Sequence, residues 1–225
     1  MVLPNFFMVG VARSASTSLA AYFKQHPDIC FCRPHEPNFF AFDHEYKRGL
    51  DYYKSLYKHY GGEPVIGEKS WRYSCAGVYP AALSRILEVI PSFKAIYVVR
   101  DPVKRAVSLW SEMRDGGQGL LDADPNIAIA RDPIIIDSSL YNTQIARFEE
   151  TLGPENVLIV FYEDFVRGPD EYYRTICEFL QISVFQPKTS IKRNVSTDKR
   201  TDRPVLEWLR RTWPGDVPVD VEKLR

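Results

Sequence analysis

The chain carries no net charge, because 29 Lys and Arg residues are matched by 29 Asp and Glu. That balance gives no support to non-specific nucleic-acid binding and confines any anion site to a local cluster. A run of about 18 apolar residues is missing, so no membrane span is predicted. No basic leader with a long apolar segment precedes the first strand, and a soluble, cytoplasmic protein is the expectation. Cys30, Cys32, Cys75 and Cys177 form no C-x-x-C pair. Reduced structural thiols are the favoured reading, with metal or redox roles as the alternative. No His/Cys/Asp cluster has metal-ligand spacing, so no metal is expected. Internal repeats and low-complexity tracts are also missing. The phosphate loop G-x-x-x-x-G-K-[ST] is not present, which argues against an ATP γ-phosphate held in the usual way.

What is present suits one domain over residues 1–225, with a sizeable core. Short apolar runs at Phe6–Val9, Ile29–Cys32, Val65–Glu68, Ala95–Val99 and Val157–Phe161 read as buried strands. Helical spacing covers Thr17–Gln25, Leu50–Tyr60, Ala81–Ile90, Val103–Arg114, Leu140–Leu152 and Pro169–Leu180. Arg33–Asp43 and Asp115–Asp137 read as loops. Strands alternating with helices predict an α/β fold with a central, mostly parallel sheet. Ligands of such sheets bind at the carboxyl ends of strands, near the switch point.

Two segments begin at such ends. In Gly10–Leu19 a tight loop carries Arg13, Ser14, Ala15, Ser16, Thr17 and Ser18 into a helix start, a candidate anion pocket. In the second, Arg100-Asp101-Pro102 ends the strongest strand and leads into a helix bearing Ser108. An arginine there can grip a phosphate with two hydrogen bonds; the plainer reading is a surface pair, Arg100 with Asp101 or Asp101 with Arg105. Two anion sites would suit a nucleotide with two separated anionic groups.

Gly10-Val11-Ala12-Arg13-Ser14-Ala15-Ser16-Thr17-Ser18-Leu19 resembles the 5′-phosphosulfate loop of sulfotransferases that use PAPS, 3′-phosphoadenosine 5′-phosphosulfate. Val98–Ser108 resembles their 3′-phosphate motif, R-D-P-x-x-R-x-x-S, and Tyr162-Glu163-Asp164-Phe165 their Y-E-D-[LF] signature. Glu36-Pro37-Asn38-Phe39-Phe40 and Gly67-Glu68-Lys69-Ser70 look most like the carbohydrate, heparan sulfate-type branch. The resemblance implies a P-loop-NTPase-like three-layer sandwich and in-line sulfuryl transfer from PAPS to a hydroxyl or amine. It assigns Arg13, Ser14, Ala15, Ser16, Thr17, Ser18, Arg100 and Ser108 to the nucleotide, and Glu36, Arg13 and Lys69 to catalysis, with Glu36 as base. Lys192 and Arg193 are candidates for a loop closing over the nucleotide, against a plain reading as a solvated basic face.

His35 is a rival base, and Glu36 itself has a plain reading as a loop carboxylate. His35, Asn38, Trp71, Arg72 and Tyr141 are the acceptor-side candidates, with Asp43, His44 and Tyr73 nearby. The acceptor, small molecule or glycan, stays open. The family usually has lysine where this chain has Arg13. Arginine keeps the charge but cannot donate a proton near neutral pH, which shifts leaving-group assistance toward Lys69. A small-molecule kinase and a non-catalytic nucleotide-binding relative are the alternatives.

Overall fold

The computed structural model describes residues 2–34, 36–115, 127–128 and 131–187. Five strands are present among them: β1 (Phe6–Gly10), β2 (Ile29–Phe31), β3 (Val65–Lys69), β4 (Lys94–Val99) and β5 (Val157–Phe161). They form one sheet in the order β2-β3-β1-β4-β5, and every pairing is parallel. The apolar runs become strands because a parallel sheet buries both faces.

Alternation along each strand then builds two cores. Phe7 and Val9 of β1, with Ala95, Tyr97 and Val99 of β4, face a layer that includes the helices Ala82–Val89 and Tyr141–Leu152. Phe6 and Met8, with Ile96 and Val98, face the helices Ser16–Phe23 and Pro169–Leu180. Helices on both faces of the sheet make the three-layer α/β sandwich predicted above. Cys30 and Cys32 fall in the same core, as their alternation requires, and all four cysteines are free and buried.

The chain moves outward from β1 in both directions, through β3 on one side and β4 on the other. This switch point opens a crevice at the carboxyl end of β1. A third apolar cluster closes that end of the sheet. It joins Ala12, Trp71, Leu109, Trp110 and Ile134 from four separate segments.

Two expectations are corrected, and one helix is added. The helix expected over Leu50–Tyr60 is only Gly49–Ser55. Beyond it the backbone tightens into turns, with Leu56 N–H donating to the Tyr53 carbonyl and Tyr57 N–H to that of Lys54. The expected loop Asp115–Asp137 ends in a helix, Pro133–Asp137, whose first turn is capped by Asp132 accepting from the Ile134 N–H at 3.1 Å. Finally, Tyr162–Arg167 forms a helix that the spacing did not reveal.

Candidate functional site

Gly10 ends β1 directly beneath Tyr97. A Cβ at Gly10 would lie 2.6 Å from the Tyr97 ring, so only glycine lets the loop leave the sheet here. The loop then turns on two residues with positive φ, Arg13 at 70° and Ala15 at 58°. Non-glycine residues rarely adopt this backbone outside functional turns. Ala15 caps the helix Ser16–Phe23 and supplies no side-chain acceptor, so the leading N–H groups keep their capacity for an anion. The Ser14 hydroxyl is fully buried in the loop and has no hydrogen-bond partner. Ser16 and Ser18 are buried, and Thr17 is exposed.

The second motif closes onto the first. Arg100 Nη1 donates to the Arg13 carbonyl at 2.7 Å, while its Nε is buried without a partner. Arg13 Nε donates to Ser108 Oγ at 3.0 Å, and its Nη1 lies 3.0 Å from Glu112 Oε1. Neither plain surface pair explains these residues. Asp101 accepts from the Lys104 N–H at 2.8 Å and so caps the helix Pro102–Asp115. Arg105 is fully buried and donates to Ser139 Oγ at 2.7 Å.

The Tyr162–Arg167 helix braces the same strand end. Tyr162 stacks under the Arg100 guanidinium at 4.6 Å, and Glu163 accepts from the Asp101 N–H at 3.3 Å. Tyr141 belongs here rather than beside Glu36. It is buried, and its hydroxyl donates to the Arg100 carbonyl at 2.9 Å. Burial pushes that phenol up to about 12, which keeps the donor protonated near neutral pH.

Across the crevice, β3 ends at Lys69, whose side chain is almost entirely buried. Lys69 Nζ lies 3.1 Å from Glu36 Oε2. Arg72 Nη1 lies 3.6 Å from the other carboxylate oxygen. Arg72 is itself held over the Trp71 ring at 4.4 Å. Glu36 is therefore not a free loop carboxylate: two cations from the β3 end orient it. Asn38 fixes the loop backbone, donating its N–H to Ser70 Oγ at 3.1 Å and its side-chain amide to the Glu36 carbonyl at 3.3 Å. A cavity of about 470 Å³ opens in front of this group.

Glu36, Asn38, Trp71 and Arg72 all border the cavity, so four sequence candidates converge. Asp43 instead pairs with Arg85 at 2.5 Å, His44 is exposed, and Tyr73 is buried in the core. His35, Lys192 and Arg193 lie outside the described residues. Sequence reasoning missed the opposite wall, formed by Leu109, Glu112, Met113 and Ile134. One signal was available for Glu112: it stands four residues after Ser108, on the same helix face.

Comparison with known proteins adds three findings. The model of the Sulfotransferase family matches residues 51–187, more than half of the chain. Heparan sulfate glucosamine 3-O-sulfotransferase 3B1 of Mus musculus is 28% identical over 185 residues, 79% of this chain and 46% of that protein. Heparan sulfate glucosamine 3-O-sulfotransferase 6 of Homo sapiens is 33% identical over 117 residues, 52% of this chain and 32% of that protein. The chain thus spans less than half the length of either relative. A crystal structure of a sulfotransferase from Alicyclobacillus acidocaldarius aligns with a TM-score of 0.73 at 29% identity, covering 87% of this chain and 88% of that one. No helix among the described residues is long and apolar enough to cross a membrane. A family match running from the helix Gly49–Ser55 to beyond β5, over more than half of the chain, makes the assignment: this chain belongs to the sulfotransferase family.

Proposed function

We propose that this protein transfers a sulfuryl group from PAPS to an acceptor hydroxyl or amine and releases 3′,5′-ADP. The observation that carries this reading is the union of the two anion motifs. The Arg100–Arg13 and Arg13–Ser108 bonds join them, yet two buried polar atoms, Ser14 Oγ and Arg100 Nε, still lack partners. Buried donors are normally satisfied, so a pair of orphans on facing loops is what a two-anion ligand would complete. The loop N–H groups with Ser14, Ser16, Thr17 and Ser18 would hold the 5′ end, and Arg100 with Ser108 the 3′-phosphate.

Sulfuryl transfer asks for positioning and charge stabilisation more than for covalent chemistry by the protein. Glu36 takes the acceptor proton as the acceptor oxygen or nitrogen bonds to sulfur. Lys69 and Arg72 hold that carboxylate at the cavity mouth. Charge then grows on the departing 5′-phosphate oxygen. Arg13 offsets it without surrendering a proton, so Lys69 is the cation with a proton to give.

Calorimetric titration of the full chain with 3′,5′-ADP tests the nucleotide half, and transfer of label from PAPS to an acceptor panel tests the chemistry. Saturable 3′,5′-ADP binding with label transfer supports the proposal. A chain that binds no 3′,5′-ADP overturns it.

A further inference from the structure

Each cation found at the cavity already has a carboxylate. Lys69 and Arg72 both hold Glu36, and Arg13, beside the opposite wall, holds Glu112. Arg72 is the one basic side chain on the cavity lining among the described residues, and it is pinned between the Trp71 and Phe42 rings. The lining also bears two acids, Glu36 and Glu112. On the lining itself two acids face one base, and all three cations nearby are paired, so a polyanion finds no uncommitted cation among these groups. The chain as a whole carries no net charge that would draw a polyanion in.

Apart from Glu112, which Arg13 holds, the remaining lining is largely apolar. Leu109, Met113, Ile134 and Trp71 lie along it, and Leu109, Ile134 and Trp71 belong to one buried cluster. A cavity of about 470 Å³ falls in the range of pockets that enclose small molecules. One end thus offers a proton acceptor for a hydroxyl, and the other a surface for a hydrocarbon body.

From this we infer that the acceptor is a small, uncharged amphipathic alcohol, its hydroxyl at Glu36 and its apolar part against Leu109, Met113 and Ile134. That class departs from the heparan sulfate for which the relatives above are named. The inference rests on the sulfotransferase reading and names the substrate class of the same site.

The test separates the two. Calorimetry with 3′,5′-ADP comes first; a chain that fails to bind it loses the sulfotransferase reading and this inference with it. With binding in hand, kcat/KM for labelled transfer is measured on primary alcohols of increasing length, on the same alcohols ending in a carboxylate, and on a heparan sulfate oligosaccharide. The expected result is a rise of roughly threefold per added methylene until the cavity is filled. The terminal carboxylate is expected to cost about tenfold or more. Better use of the oligosaccharide than of any alcohol overturns the inference, as does turnover of no alcohol by a chain that binds 3′,5′-ADP. In Met113→Lys, the dependence on chain length should flatten and the carboxylate penalty shrink by about tenfold, with 3′,5′-ADP affinity reporting on the fold. An unchanged pattern in that variant also counts against the inference.

Discussion

Arg100 Nη1 donates a 2.7 Å hydrogen bond to the backbone carbonyl of Arg13, across 87 residues of sequence. The bond ties the end of β4 to the strained turn after β1, where Arg13 has a φ of 70°. One side chain thus shapes the first anion loop while its Nε remains free of partners. Arg100→Ala should weaken 3′,5′-ADP binding by roughly ten- to a hundredfold, the range for hydrogen bonds to charged groups. Arg100→Lys should recover only part of it, because an ammonium lacks the planar fork that reaches two acceptors at once. Calorimetry on both variants measures this. Equal affinity of Arg100→Ala and the parent chain would remove Arg100 from the nucleotide site.

Glu36 is held at 3.1 Å by Lys69 and 3.6 Å by Arg72. Glu36→Gln keeps the shape and removes the proton acceptor. Turnover should fall by roughly a hundredfold to ten-thousandfold, the usual contribution of a positioned base. Affinity for 3′,5′-ADP should hold, because Glu36 pairs with Lys69 and Arg72 and not with Arg13 or Arg100 of the two anion motifs. Single-turnover rates alongside titration separate these effects, and loss of both together would show that Glu36 supports the nucleotide loop instead.

The strands were readable because each is a short apolar run, and β1, β4 and β5 came out within a residue of their expected bounds. The corrected segments obey other rules. The expected loop Asp115–Asp137 holds Asp132-Pro133, an N-cap followed by a first helical proline. The helix after Gly49 stops early, and the turns beyond it bring Tyr57 within 3.0 Å of Glu68. Within the site, Glu36, Asn38, Trp71 and Arg72 were legible only through the family resemblance; on the residues alone Glu36 reads as a plain loop carboxylate. The Arg13–Glu112 pair was not, because it joins a strained loop to a helix face 99 positions away and neither residue type signals the other.

Lys69 and Arg13 divide two properties that a single lysine often combines, charge and a removable proton. Lys69→Arg keeps the charge and removes the donor. We expect kcat to fall by about a hundredfold at most, in the lower part of the range for acid–base assistance, with little change in 3′,5′-ADP affinity. Adding Arg13→Lys should restore part of the loss, since it returns an ammonium to the loop beside Ser108. Pre-steady-state measurement of label transfer in the single and double variants decides this. A double variant slower than Lys69→Arg alone would mean that Arg13 acts only through its bonds to Ser108 and Glu112.

Glu68 stands next to Lys69 in β3 but on the core face, fully buried, accepting from Tyr53 at 2.8 Å and from Tyr57 at 3.0 Å. Burial raises its carboxyl above the usual glutamate range, and hydrogen bonds from tyrosines only partly oppose this. Between the unfolded and the folded value, the native state binds more protons than the unfolded chain. Stability therefore falls as pH rises through that window, and its contribution is fully present only below the ordinary glutamate value. Glu68→Gln removes the titration and keeps an acceptor for the tyrosines. Denaturant unfolding across acid to neutral pH should give a flatter profile for the variant, its stability gaining on the parent chain as pH rises. A parent profile that climbs with pH through this window, and stays parallel to that of Glu68→Gln, would show that the buried carboxylate folds in its charged form.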